Sequence, residues 1–464
     1  MKKFCVSAGL LAAGAASIQS VSAQGLDVIS PKAWSVSGTL RGFYDDNYNI
    51  APGKKGSYGA EVSPSISYNL PLQQTDMGIR YTYGLYYYQD RQDLGVNPFD
   101  QTHQVDMWLD HAINERWHIN FTDTFASGQE PELLTPGINN VSAVPIRVNG
   151  NNIANHANIK LDTQWTPLFG TSLHYENDFY DYQNSGSPNL VPTVPIGTVP
   201  LIPSNAGSPG FATLASPASL AGLLNRVEQD LGLDFNWTLS SKTKLFVGYT
   251  FGIVNYTGGE TIADFNFNSQ PATPRNLPYQ SDSRDLMSQN VYVGANHQLT
   301  ENLTIQGQIG AQYNDNYNDP LNTSSSTSFA PIANLSLDYT YTTGSYVQLG
   351  VSQGENSTDV VQPNNNNGSI TEYQYSTVLF ADVNQRITEK LMGSLLGRYT
   401  YSTYQGGQFD SSSDNGFNVG VNLSYQITRH FSAEVGYNYD DLQSSVPGQG
   451  YNRNRVYIGM GASY

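Results

Sequence analysis

The sequence predicts an all-β fold: a transmembrane, antiparallel, up-and-down β-barrel of about 18 strands, with about 16 as the main alternative count. Three observations predict it. Apolar and polar residues alternate with period 2 along most of the chain. Short turns alternate with long loops. The composition combines only 13% charged residues with a mean hydropathy of -0.40, so the chain is neither highly charged nor hydrophobic on average. Soluble domains carry about 25% charge. A helical membrane protein needs runs of about 20 apolar residues, and none follows the first 25 positions. One cysteine in 464 residues excludes a disulfide scaffold, and 12% aromatics exclude a charged disordered chain.

The first element is an export signal. Lys2 and Lys3 form a basic start, residues 4–16 a short apolar stretch, and Val21-Ser22-Ala23 a small-x-small cleavage site before Gln24. Residues 1–23 read as a cleaved signal peptide that carries the lone Cys5 with it. Residues 24–464 then form a single transmembrane β-barrel domain. The formal charge of -17 argues against nucleic acid as a partner.

The strands follow in order. Alternate side chains of a strand point to opposite faces. Residues 38–47 open the barrel, and 77–87, 157–165, 231–239, 245–253, 291–299 and 303–313 alternate clearly. Leu335, Leu337, Tyr339 and Tyr341 alternate with Ser336, Asp338 and Thr340. Phe417, Val419, Val421, Leu423, Tyr425 and Ile427 alternate with Asn418, Gly420, Asn422, Ser424 and Gln426. The fourth strand (102–112) and the thirteenth (345–353) carry the faintest pattern. The last strand places Val456, Ile458, Met460, Ala462 and terminal Tyr464 on one face, a pattern resembling the signal that barrel-assembly machinery reads.

The connectors have a grammar. Ile113-Asn114-Glu115-Arg116-Trp117, Leu299-Thr300-Glu301-Asn302-Leu303, Ile387-Thr388-Glu389-Lys390-Leu391 and Ile427-Thr428-Arg429-His430-Phe431 each join two strands through three polar residues. Between these turns lie long loops at 129–152, 184–225, 257–282 and 356–369. Short periplasmic turns and long extracellular loops are the layout of a bacterial outer-membrane barrel. Tyrosines cluster toward the loop-side strand ends, at Tyr81, Tyr83, Tyr86, Tyr87 and Tyr88; Tyr175, Tyr180 and Tyr182; Tyr399, Tyr401 and Tyr404; Tyr437 and Tyr439. They read as an aromatic girdle at the membrane boundary.

The first strand ends in Tyr44-Asp45-Asp46-Asn47, and Tyr313-Asn314-Asp315-Asn316 and Tyr439-Asp440-Asp441 recur at other loop-side ends. These ends resemble the β-barrel porin families of Gram-negative bacteria, particularly the group called putative β-barrel porin 2. The resemblance implies an outer-membrane channel and no particular substrate.

If the apolar positions face lipid, the positions between them face the interior. Ser63, Ser65, Ser67, Asn69, Gln306, Gln308 and Gln312 would keep it wet. The candidate pore-lining cations are Arg41, Arg80, Lys160, Lys244, Arg398 and Arg455. The candidate acids include Asp106, Asp110, Asp162, Glu176 and Asp234, and further along the chain Asp338, Asp382 and Glu434. Rings of charge set ion preference, and the acidic balance predicts a weak preference for cations. Asp123 falls on the lipid side between Phe121 and Phe125, which calls for a membrane edge or a bulge there.

Loop 184–225 interleaves apolar residues with Pro192, Pro195, Pro200 and Pro203, which deny it a strand. Ser216 and Pro217 would start a short helix there. Such a loop is expected to fold inward and narrow the barrel, with 129–152 as the second candidate. No H-E-x-x-H pair, G-x-S-x-G elbow or phosphate loop is present in the sequence. His174, Glu176 and Asp178 share a strand face that would suit a barrel hydrolase, and 314–319 would hold calcium only loosely. No catalytic residue, cofactor or metal is therefore predicted. The expected function is passive diffusion of small hydrophilic solutes, with lipid and lipopolysaccharide as surroundings. The competing reading is a structural or adhesive barrel whose loops bind an external partner.

Overall fold

The computed structural model describes residues 33–93, 97–130, 150–183, 219–267, 275–319, 327–361 and 369–464. The signal segment 1–23 and most of loops 129–152 and 184–225 lie outside the described residues. The elements in chain order are β1 (Trp34–Asp45), β2 (Ser57–Pro71), β3 (Thr75–Tyr88), α1 (Gln89–Asp93), β4 (Phe99–Ala112), β5 (Trp117–Glu130), β6 (Gly150–Thr166) and β7 (Phe169–Tyr182). Then come α2 (Leu220–Leu224), β8 (Arg226–Ser240), β9 (Thr243–Tyr256), β10 (Thr261–Phe267), β11 (Arg275–Gln280), a 3-10 turn (Ser281–Arg284), β12 (Leu286–Thr300) and β13 (Leu303–Asp315). The chain continues through β14 (Thr327–Thr342), β15 (Ser345–Asn356), β16 (Thr371–Arg386), β17 (Leu391–Gly406), β18 (Ser413–Gln426), β19 (Phe431–Ser444) and β20 (Tyr451–Ser463).

Eighteen of the strands form one sheet in which each pairs antiparallel with its sequence neighbours, and β9 passes directly to β12. The sheet closes where β1 pairs with β20, Leu40 opposite Met460. The 18-strand up-and-down barrel read from the sequence is therefore the fold. β10 and β11 stand apart as a two-stranded hairpin inside the segment expected to be plain loop.

Closure leaves no strand edge, and this frees the outer face to be apolar. Leu40, Val62, Ile66, Leu231, Val293, Ile309, Leu379, Ile458 and Met460 are all exposed. Their neighbours in sequence point inward: Glu61, Ser65, Asp106, Thr124, Asp234, Ser376 and Arg455 are buried. No helix among the described residues is long and apolar enough to cross a membrane; the strands cross it instead.

The short-turn phrase has a local cause. In 427–431 and 387–391 the Ile N–H bonds the carbonyl of the next strand's first residue, at 2.9 Å in both. The intervening Thr428 and Thr388 hydroxyls accept from two following backbone N–H groups. Asn114 does the same for Arg116 and Trp117. A side-chain oxygen thus supplies the acceptors that a three-residue turn leaves missing.

Glycines on the inner face let large side chains lie flat across the wall. A Cβ at Gly59 would strike the Phe43 ring, at Gly78 the Trp108 ring, and at Gly436 the Tyr457 ring. Gly78→Leu is expected to displace Trp108 and cost about 1–3 kcal/mol, as overpacking does. A lowered temperature of the folded-to-unfolded gel shift would register it.

Several sequence expectations need correction. Register runs unbroken from β4 through β5 to β6, so there is no bulge at Asp123. That carboxylate instead accepts a hydrogen bond from Asn155 Nδ2 at 2.7 Å, on the same outer face. The short helix begins later than Ser216: Ser219 is its cap and accepts from Gly222 N–H at 3.1 Å. Strands also run past their alternating stretches. β14 takes in Pro331, which lies beyond the last pair with β15, so its missing N–H costs no ladder bond.

The tyrosine cluster divides between two faces. Tyr81, Tyr175, Tyr401 and Tyr437 are exposed outside, but Tyr88, Tyr182 and Tyr404 are buried inside. Tyr86 and Tyr180 also point inward, where they pack on apolar clusters. The interior is correspondingly less uniformly polar than the serines and glutamines suggest, and Leu396 and Val378 are fully buried there.

Candidate functional site: the barrel interior and its mouth

All fourteen charged residues singled out from the sequence lie on the strand face opposite the exposed apolar side chains. Their surroundings differ from wall to wall. On β20, β1, β2 and β19 the charges form one network. Arg41 Nη1 donates to Glu61 at 3.0 Å and its Nε to Glu434 at 2.6 Å. Arg455 donates to the other oxygen of Glu61 at 3.2 Å and lies 3.8 Å from the Phe43 ring centroid. Nearer the loops, Arg453 pairs with Asp45 at 2.5 Å. On the adjoining wall Arg80 pairs with Asp106 at 2.9 Å, and Asp110 accepts from His118 at 2.7 Å.

The rest of the wall is different. Lys160 reaches Asp162 at 3.2 Å, and Asp162 also accepts from Ser172. Asp234 accepts from the Tyr292 hydroxyl at 2.7 Å, with His174 at 3.7 Å. Asp382 accepts from Tyr346 at 3.0 Å and Asp338 from Ser336 at 3.4 Å. Arg398 donates to Asn418 at 3.2 Å, and Lys244 sits beside the 240–243 turn. Most cations are thus held by carboxylates, while several carboxylates meet only neutral donors.

The loops that the structure describes gather at one end of the barrel. Leu223 and Leu224 of α2, Ile262 and Ala263 of β10, Tyr279 of β11, Val361 and Ile370 pack together against inward-facing Tyr182. At the centre is Arg284, 1% exposed. Its Nη1 donates to the Leu223 carbonyl at 2.9 Å, and its Nη2 to the carbonyls of Thr358 at 2.8 Å and Glu372 at 3.4 Å. The guanidinium carbon lies 4.6 Å from the Tyr256 ring centroid. One cation therefore ties α2, the 356–361 segment and the start of β16 together. Burial pulls its pKa below the ordinary arginine value, opposed by the nearby Tyr256.

Neither Arg284 nor Glu61 stood out in the sequence. Glu61 was readable, because it shares parity with Ser63, Ser65 and Ser67. Arg284 follows no strand pattern; its one signal is the polar Gln280-Ser281-Asp282-Ser283 run ahead of it, which folds as a capped 3-10 turn. His174, Glu176 and Asp178 do share a face, lined up along β7 in the same inward row as Ser172. Among the described residues no group of three or more His, Cys, Asp or Glu is placed to hold a metal ion.

A closed barrel with an apolar outside, a charged and polar inside and tight turns at one end has the architecture of an outer-membrane β-barrel. The model of the family described as Putative beta-barrel porin 2 matches residues 283–464. That stretch includes the Tyr313 and Tyr439 strand ends noted above. Among solved structures, the chain is similar to OccAB4 of Acinetobacter baumannii, at 12% identity over 93% of this chain and 99% of that one, with a TM-score of 0.41. It is also similar to OccK3 (OpdO) of Pseudomonas aeruginosa, at 9% identity over 93% and 95% of the two chains and a TM-score of 0.39. A mutant ferric enterobactin receptor (PfeA) of Pseudomonas aeruginosa aligns at 11% identity over 92% and 80%, with a TM-score of 0.40. No curated protein matches the sequence.

Proposed function

We propose that this barrel is a passive channel for small hydrophilic solutes, with a weak preference for cations. The observation that carries the reading is the division of the wall: apolar side chains outside, and serine, asparagine, glutamine and paired charges inside. Diffusion through such a bore needs no covalent chemistry, only a constriction and a field. The imbalance between neutralised cations and unneutralised carboxylates supports the cation preference, since the donors that Glu176, Asp338 and Asp382 face carry no charge. Under a potassium chloride gradient across a planar bilayer, the reversal potential is expected to have the sign of cation selectivity. An anion-selective potential would reject that part of the reading.

A second reading keeps the barrel closed and gives the long loops an external partner to bind. The apolar cluster around Arg284 supports it, because a packed mouth suits a structural or adhesive barrel. In either reading residues 1–23 direct export and are removed, and lipid and lipopolysaccharide surround the barrel. The C-terminal strand would be what the barrel-assembly machinery reads. Tyr464 ends it beside Trp34, ring centroids 5.9 Å apart, and pairs backbone to backbone with Val36 at 2.8 and 3.1 Å. Tyr464→Ala is expected to lower the amount of folded barrel in the membrane without changing the conductance of what does assemble.

A further inference from the structure

Two rows of inward residues cross β6, β7 and β8 side by side. In the upper row His156, Asp178 and Glu228 are directly opposed, and in the lower row Asn158, Glu176 and Asp230. The upper row is satisfied: His156 Nδ1 bonds Asp178 at 2.9 Å, and Arg226 Nε bonds Glu228 at 2.5 Å. The lower row opposes two carboxylates with no cation between them. Like charges directly across a strand pair repel, so the pair needs a proton or a positive partner.

The nearby cations are engaged elsewhere. Lys160 reaches Asp162, and Arg226 is held by Glu228 and by the Leu224 carbonyl at 3.0 Å. Glu176 is 5% exposed, and its Oε1 has no hydrogen-bond partner. Asp230 is only half-buried, and its carboxylate lies across Gly252, where a Cβ would strike it and the Ser288 hydroxyl together. The glycine thus lets the Asp230 carboxylate and the Ser288 hydroxyl share the space above its backbone on the lumen side, with Glu176 the next residue across the wall from Asp230.

We propose that Glu176 and Asp230 form a recognition site in the wall for solutes carrying a nitrogen cation, an ammonium or guanidinium group. Such a group supplies several N–H donors and one charge, which matches two carboxylates and a hydroxyl better than a bare metal ion does. The site rests on the channel reading and names the class of solute for which that channel would be selective.

The test uses the full-length barrel in planar bilayers of potassium chloride, with guanidinium chloride as probe and urea, its neutral counterpart, as control. Guanidinium is expected to reduce the wild-type current at concentrations where urea does not. In the Glu176→Gln/Asp230→Asn double variant the half-blocking concentration is expected to rise about tenfold, the loss of one charge-assisted pair. Glu301→Gln, in the exposed turn between β12 and β13, should leave it unchanged. Equal block of wild type and double variant, or the same loss in Glu301→Gln, overturns the site. A conducting wild type that ignores guanidinium overturns the site and leaves the channel standing, whereas a silent wild type overturns both. Asp230→Asn alone provides the same comparison if the double variant does not assemble.

Discussion

Arg284→Met is expected to open the mouth of the barrel and raise its single-channel conductance. The guanidinium binds three carbonyls on three separate segments, those of Leu223, Thr358 and Glu372. Methionine fills the volume but donates nothing. Each buried carbonyl left without its partner costs about 1–3 kcal/mol. A total of about 3 kcal/mol is enough to move a closed equilibrium by more than about a hundredfold. The apolar packing of Leu223, Leu224, Ile262 and Tyr279 would remain but would no longer be pinned to β16. Arg284→Lys keeps the charge and loses the planar fork, so an intermediate conductance is expected. An unchanged conductance in a correctly folded Arg284→Met barrel would show that the gathered loops do not limit flow.

The second large effect is expected at Glu61. Its carboxylate bridges Arg41 and Arg455 at 3.0 and 3.2 Å, with the Glu61 and Arg455 side chains 5% and 3% exposed. Glu61→Leu takes a carboxylate from two cations and strands one of them, the buried Arg455. Arg41 keeps Glu434 at 2.6 Å, but Arg455 keeps only aromatic faces, Phe43 at 3.8 Å and Tyr86 at 5.7 Å. Breaking a buried pair by removing one partner costs about 3–5 kcal/mol. The temperature at which the folded band gives way to the unfolded band on a gel should therefore fall sharply. The sign of the selectivity change is also set: a lost negative charge beside two arginines moves the reversal potential toward anions. Glu61→Gln, whose single amide oxygen can accept from one of the two arginines, should lose less stability than Glu61→Leu and shift selectivity by a similar amount. A variant as stable as wild type would mean that the four-residue network contributes little.

The strands were legible because each has two solvents. Leu335 against Ser336, or Phe417 against Asn418, must face lipid on one side and water on the other, and no other arrangement satisfies both. The turns were legible because threonine or asparagine has to supply acceptors at one position. Strand ends were harder. Beyond the membrane both faces are wet or packed, so β14 continues through Pro331 with no alternation to mark it. The same physics explains the tyrosines. Tyr86 and Tyr87 are the same residue type at the same end of β3, yet parity puts Tyr86 with Arg80 inside and Tyr87 with Ile79 outside. Residue type suggested one girdle where parity makes two populations.

The mouth was the least legible part. Arg284 works through contacts with α2, residue 358 and residue 372, which are distant in sequence, and a single arginine in a polar loop gives no local sign of them. The β10–β11 hairpin is hidden for a similar reason: it pairs only with itself and stands clear of the barrel ladder. The charged interior was legible position by position, but the neutralised and unneutralised walls emerge only once the barrel closes and brings Arg41 and Glu434, 393 residues apart, into one bond.

On this reading the barrel conducts. The most direct test is the current through the purified full-length protein in a planar lipid bilayer. Discrete steps in the nanosiemens range, enlarged by Arg284→Met, are the predicted result. A barrel that inserts, shows its folded gel mobility and passes no current, with or without Arg284, would contradict the account and favour the structural or adhesive reading.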